Sequence, residues 1–135
     1  MIKGNCLCGK VHYEVLKLAG PLIHCHCNYC RKTHTAAFSS NLTAKKTDFT
    51  LTSGENYVTF YESSPGKQRY FCSNCGSSLW HEKKETNQLM TIKMGSIEEF
   101  PEFEQQEFTS FHIHCESDKP WLTYENLEKH QQLPK

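Results

Sequence analysis

Phe71-Cys72-Ser73-Asn74-Cys75-Gly76 reads as a tight turn closed by glycine, with two thiols three positions apart. A small ion gathers neighbouring thiolates at about 2.3 Å each, so this knuckle is half of a tetrahedral zinc site. Gly76 supplies the positive φ that closes the turn. The rest of the ligands must come from elsewhere. Six further cysteines stand at Cys6-x-Cys8, at Cys25-x-Cys27-x-x-Cys30 and, alone, at Cys115. Eight thiols in 135 residues fit either a disulfide scaffold in an oxidising compartment or metal ligands in a reducing one. Spacings of one or two residues favour chelation, because so short a ring strains a disulfide.

Seven clustered cysteines divide naturally into a four-sulfur and a three-sulfur site. Cys25, Cys27 and Cys30 can converge by themselves, two from a strand end and one from the following turn. The pairs Cys6/Cys8 and Cys72/Cys75 need each other, and their union ties the N-terminal strand to a knuckle more than sixty residues downstream. Metal binding free energy then becomes folding free energy. A closed four-sulfur site is structural, whereas three protein ligands with an open position are the pattern of catalytic zinc. The triplet also admits two plainer readings. It is a second structural site completed by His24, His26, His34, His81, His112, His114 or Cys115, or it holds no metal. For Cys115 itself, alternation with Ile113 on an expected strand implies a buried, inert thiol.

Outward from these clusters, strands are expected at Lys10–Val15, Leu22–Cys27, Ala36–Leu42, Phe49–Thr52 and Tyr57–Tyr61. More follow at Arg69–Phe71, Leu79–His81, Leu89–Met94 and Phe111–Cys115. Gly20-Pro21 and Ser63-Ser64-Pro65-Gly66 mark turns, and a short helix or turn is expected over Cys30–Ala37. Short strands with little helix indicate an all-β sandwich or barrel-like fold held partly by metal. One domain is expected over residues 1–124, with a polar C-terminal tail at 125–135 that could form a fraying helix.

Composition narrows the function. Lys+Arg and Asp+Glu number 15 each, and seven thiolates with two zinc ions would lower the formal zero by about three. That balance argues against nucleic acid as a partner. Aromatic residues make up 12%, too many for a disordered chain. No apolar run reaches the roughly 20 residues needed to span a bilayer, and the first residues lack a charged-then-apolar signal. Asn41-Leu42-Thr43, a match to a glycosylation acceptor, is therefore read as chance. A cytoplasmic location without membrane contact is expected.

Four segments resemble the family of glutathione-dependent formaldehyde-activating enzymes and their centromere protein V relatives. Gly4-Asn5-Cys6-Leu7-Cys8-Gly9-Lys10-Val11-His12-Tyr13-Glu14 fits the family's G-x-C-x-C-G-x-V-x-Y-E. Cys25-His26-Cys27-Asn28-Tyr29-Cys30-Arg31-Lys32 fits C-H-C-x-x-C-R-K, continued by Ala36 and Phe38. Phe71-Cys72-Ser73-Asn74-Cys75-Gly76-Ser77-Ser78-Leu79 fits F-C-x-x-C-G-S-x-L. His112-Ile113, Ser117 and Pro120-Trp121 resemble the closing H-I-x-x-x-S-x-x-P-W.

The resemblance implies an Mss4-like small β-sandwich with two zinc ions per chain. By position, Cys6, Cys8, Cys72 and Cys75 would hold the structural zinc, and Cys25, Cys27 and Cys30 the functional one. It implies a carbon–sulfur lyase similar to S-(hydroxymethyl)glutathione synthase, whose partners are a thiol such as glutathione and a small aldehyde such as formaldehyde. Arg31 and Lys32 directly follow the third ligand and are candidates for binding substrate carboxylates, with a solvated pair on a turn as the plain reading. His26 is expected to point away from the ligands that flank it. Trp121 is expected as a core anchor rather than a pocket wall. Two positions depart from the family pattern: Thr35 stands where glycine is common, and Asp118 where a basic residue is common. Two non-enzymatic readings stand beside the enzyme: a zinc-stabilised binding module, and a thiol or zinc sensor.

Overall fold

The computed structural model describes residues 1–104 and 109–122. The expected boundary at residue 124 and the tail at 125–135 lie outside the described residues. Among the described residues eleven strands form two sheets: β1 (Ile2–Asn5), β2 (His12–Val15), β3 (Leu22–Cys25), β4 (Ser39–Lys45), β5 (Phe49–Ser53), β6 (Val58–Ser64), β7 (Lys67–Cys72), β8 (Ser78–Lys83), β9 (Leu89–Lys93), β10 (Ile97–Glu99) and β11 (Ser110–Ile113). One sheet runs β10-β1-β2-β5, the other β11-β3-β4-β9-β8-β7-β6. A single helix among the described residues, α1 (Asn28–His34), follows β3. The expected all-β sandwich is the observed class.

The apolar core lies between the sheets. Alternation in β2 buries Tyr13 and Val15 while His12 faces out. Opposite them the seven-stranded sheet presents Leu22, Leu42, Ala44, Met90, Ile92 and Trp80. The Tyr13 ring stacks on Phe49 at 5.4 Å and meets Trp80 edge-on at 6.1 Å, while its hydroxyl bonds Ser96 Oγ at 2.6 Å. Burial pushes the Tyr13 phenol up to about 12. Gly4 is required beneath that ring, since a Cβ there would lie 2.2 Å from Tyr13 Cζ.

The register gives the seven-stranded sheet a second, polar face. Arg69 pairs with His81, His81 with Thr91, Lys93 with Asn41 and Cys25 with Ser39. Strand periodicity places Arg69, His81, Lys93, Asn41, Ser39 and Cys25 opposite the Trp80–Ile92–Leu42 row. All six are buried.

Several boundaries differ from the sequence reading. β1 and β10 were not expected, because strands of four and three residues with one strong apolar residue each carry little alternation. The helix starts at Asn28 because Cys27 caps it, its Sγ accepting the Cys30 N–H at 3.4 Å. It ends at Thr35 in the left-handed region (φ 49), which pushes the start of β4 from Ala36 to Ser39. β11 stops at Ile113 because His114 also turns left-handed (φ 58). No helix among the described residues is long and apolar enough to cross a membrane.

Candidate metal centres and the cleft between them

Cys6 and Cys8 lie in the turn after β1, where Cys6 C=O accepts the Gly9 N–H at 3.0 Å and Cys6 Sγ accepts the Val11 N–H at 3.3 Å. Cys72 ends β7, and its carbonyl accepts the Gly76 N–H at 2.8 Å to close the knuckle. Leu7 N–H donates to Ser77 Oγ at 2.9 Å, joining the two turns. Cys6 Sγ lies 3.5 Å from Cys8 Sγ, which lies 3.8 Å from Cys72 Sγ. Four sulfurs around one zinc at ~2.3 Å would be separated by ~3.8 Å, so the donor set fits that ion. The cluster already favours ionised sulfur at its rim: the Ser77 hydroxyl and backbone N–H bring the Cys75 thiol down to about 5. Burial instead pushes Cys72 up to about 11.

Cys25, Cys27 and Cys30 form the second cluster, with all three sulfurs within 4.8 Å of one another. Among the described residues no further Cys, His, Asp or Glu joins it. Cys30 is buried against the polar sheet face. Hydrogen bonding from Cys25, then Ser39, and the Lys93 charge hold the Cys30 thiol far below the usual thiol range, while Cys25, as the donor, is pushed up. Arg69 Nη1 approaches Cys30 Sγ at 4.0 Å, and Lys93 Nζ donates to Asn41 Oδ1 at 2.8 Å. Burial brings the Lys93 ammonium down to about 7.

A cleft of about 670 Å³ separates the knuckle from the end of α1. Leu7 and Ser77 line one wall, Thr33 to Ala36 the other, and Ser39 with Lys93 the inner part. The triplet therefore stands behind the cleft, reached through Ser39 and Lys93.

All eight cysteines are thiols, and seven fall into the two expected groups. Arg31 and Lys32 lie in the last turn of α1 and border a separate pocket of about 410 Å³ with Thr35, Ala36 and Trp121. Trp121 is 63% exposed, which corrects the core-anchor expectation: it walls that pocket. Cys115 is likewise exposed, because the left-handed turn at His114 takes it off the strand. His26 points away from the triplet, as alternation required. It is fully buried, its Nδ1 2.6 Å from Asp118 Oδ1 and its Nε2 2.7 Å from His112 Nδ1. With Nδ1–H donating to the carboxylate, Nε2 accepts from His112. Asp118 thus supplies the acceptor for a buried imidazole, and its Oδ, His26 and Cys115 Sγ all lie within 4.8 Å.

The polar wall of Arg69, His81, Lys93 and His34 was not anticipated as a unit: Arg69 and Lys93 were passed over, and His34 and His81 stood only among the candidates to complete the triplet. Each stands on a different element, and only the tertiary fold brings them together. Lys93 carried the one local signal, a cation ending the apolar run of β9.

Residues 1–117 match the family described as glutathione-dependent formaldehyde-activating enzyme. The chain belongs to that family. A Halomonas elongata protein assigned provisionally as a glutathione-dependent formaldehyde-activating enzyme is 33% identical over 88 residues, covering 59% of this chain and 55% of its own. An uncharacterized lyase of Schizosaccharomyces pombe is 35% identical over 78 residues, covering 58% of this chain and 55% of its own. Each curated relative is thus matched over about half its length. The fold is shared with a crystal structure of a Rhodobacter sphaeroides protein, at TM-score 0.63 and 23% identity over 81% of this chain and 99% of that one. As a formaldehyde-activating-family chain, the protein carries two cysteine groups able to hold metal.

Proposed function

We propose that the protein is a zinc-dependent carbon–sulfur lyase that joins a glutathione-like thiol to a small aldehyde such as formaldehyde. Two zinc ions per chain are part of this reading, with Cys6, Cys8, Cys72 and Cys75 holding the structural one and Cys25, Cys27 and Cys30 the functional one. The observation that carries it is the three-sulfur cluster beside a buried cationic wall at the inner end of a cleft. Zinc with three thiolates and an open position supplies a substrate thiol with a lowered pKa.

In the addition, the thiol's S–H proton passes to solvent, which returns one to Lys93, and its sulfur pair forms the C–S bond. The carbonyl π pair moves to oxygen, which takes up a proton, so thiol plus aldehyde gives the S-hydroxymethyl adduct with no leaving group. Lys93 Nζ is the donor for that oxygen, through an N–H beyond its bond to Asn41. Arg69 at 4.0 Å offsets the negative charge of the Cys30 thiolate. Arg31 and Lys32 receive an outlying carboxylate of the thiol at the Trp121 pocket. A cytoplasmic thiol pool suits this chemistry, and neither nucleic acid nor membrane enters it.

The test combines metal analysis with ¹³C-formaldehyde exchange spectroscopy in the presence of glutathione. About two zincs per chain, one lost in Cys27→Ser together with accelerated adduct formation, is the expected result. One tight zinc indifferent to Cys27→Ser, with no acceleration, would sink the reading and leave a binding module.

A further inference from the structure

A second, smaller cavity of about 150 Å³ adjoins the cleft, sharing Thr33, His34 and Lys93 with it and reaching Arg69, Tyr61 and Phe71. Beside hydroxyls such as those of Thr33 and Ser78, it is lined by the donor groups of Arg69, Lys93 and His34. Arg69 is 4% exposed; its Nε donates to Ser63 Oγ at 2.8 Å and its Nη1 faces Cys30, but its buried Nη2 has no acceptor among the described residues. His34 Nε2 is also buried without a partner among them. Lys93, 4% exposed, donates to Asn41 Oδ1, its one hydrogen-bond acceptor among the described residues. Burial together with the Lys93 charge keeps the His34 imidazole neutral down to about 4, so its bare ring nitrogen can be an N–H donor at neutral pH.

A buried guanidinium N–H without an acceptor costs about 1–3 kcal/mol, and native interiors rarely leave one. The cysteine triplet gives Arg69 only the 4.0 Å approach of Nη1 to Cys30 and leaves Nη2 without an acceptor among the described residues. Tyr61, Tyr70, Phe71 and Trp80 make most of the remaining lining flat and aromatic. A buried guanidinium beside flat walls suits a planar anion with a small carbon skeleton. A whole tripeptide exceeds the volume of about 150 Å³.

We propose that this cavity is a carboxylate site, with Arg69 Nη2, Lys93 Nζ and His34 Nε2 as donors, which seats a two- or three-carbon carboxylate next to Cys30. It deepens the thiol–aldehyde reading above by naming a substrate feature. The carboxylate comes either from an oxo-acid aldehyde or from one end of the thiol.

The test is calorimetric titration of the metal-loaded protein with acetate, with no turnover involved. Saturable binding, weakened at least tenfold in both His34→Leu and Arg69→Gln, is expected. His34→Leu alters only a short helix face, so it reports even if Arg69→Gln fails to fold. Absence of acetate, formate and glyoxylate binding at millimolar concentration, or binding indifferent to His34→Leu, would overturn the site. Competition then assigns the source. Displacement of acetate by glyoxylate alone points to the aldehyde, and displacement by S-methylglutathione to the thiol; either upholds the site. Acetate binding without formaldehyde turnover would retain the cavity and reject the reaction.

Discussion

Replacing Asp118 by alanine removes the acceptor for His26 Nδ1–H, a contact of 2.6 Å whose imidazole side is wholly buried. Solvent cannot reach that nitrogen to compensate, so losing this hydrogen bond to a charged acceptor should cost about 2 kcal/mol. At ~2.1 cal/mol/K per residue of unfolding entropy, the expected fall in Tm is ~7 °C for a chain of this size. Asp118→Asn keeps an acceptor oxygen and should cost less than ~1 kcal/mol. His26→Phe removes the donor, and the double variant should show a coupling energy above ~1 kcal/mol. Urea unfolding of the four proteins measures the cycle. A cost below ~0.5 kcal/mol for Asp118→Ala, or equal costs for alanine and asparagine, would refute the reasoning. It would also mean that residues 115–118 are not docked against β3 in solution.

Thr35→Gly places the αL-tolerant residue at the helix end, where φ is 49. The β-branched residue costs ~1–2 kcal/mol there and glycine loses ~0.5–1 through its freer unfolded chain, so a net gain near ~0.5–1 kcal/mol is expected in urea titrations. A loss would disprove the cap argument. Acid should destabilise the protein early. Burial lowers His34 to about 4 and pulls His81 further down, so the unfolded chain binds protons from pH ~6.5 while the folded one does not. Stability therefore falls as pH drops from ~6.5 to ~4, by about 2 kcal/mol for His34 after allowing for partial exposure. His34→Leu should flatten that slope in pH-stepped unfolding, and an unchanged slope would contradict it. Stripping metal with a chelator should untie Cys8 from Cys72, 64 positions away, at a cost near ~4 kcal/mol by loop closure. A metal-free protein with an unaltered Tm would disprove the structural role.

What the sequence displayed was whatever chemistry packs into short spacings. Both cysteine groups were readable because chelation needs neighbours, and most strands because Val11-Tyr13-Val15 and similar runs alternate. The short strands β1 and β10 were not, since pairing with their neighbours defines them rather than their own pattern. Cys115 was misjudged because it sits beyond His114, whose left-handed backbone breaks the alternation on which its burial was argued, and Trp121 because its burial was argued from residue type alone. The cationic wall was invisible for a different reason. Arg69, His81 and Lys93 come together only across β7, β8 and β9, and nothing along a strand tells a buried cation from a solvated one such as Lys83 in β8.

The strand order has a bearing on how the protein comes into being. β10 pairs with β1 antiparallel, and β11 lies parallel to β3 at the far edge of the larger sheet. Each sheet thus receives one of the last described strands beside one of the first. During synthesis at ~5–20 residues per second, neither layer acquires its full hydrogen bonding until residues 97–113 have emerged. For several seconds the nascent chain presents the unpaired rims of β1 and β3 with its reactive thiols. Chaperone dependence should accordingly be greatest late in elongation, and ribosome-stalled chains ending before residue 97 should remain protease-sensitive.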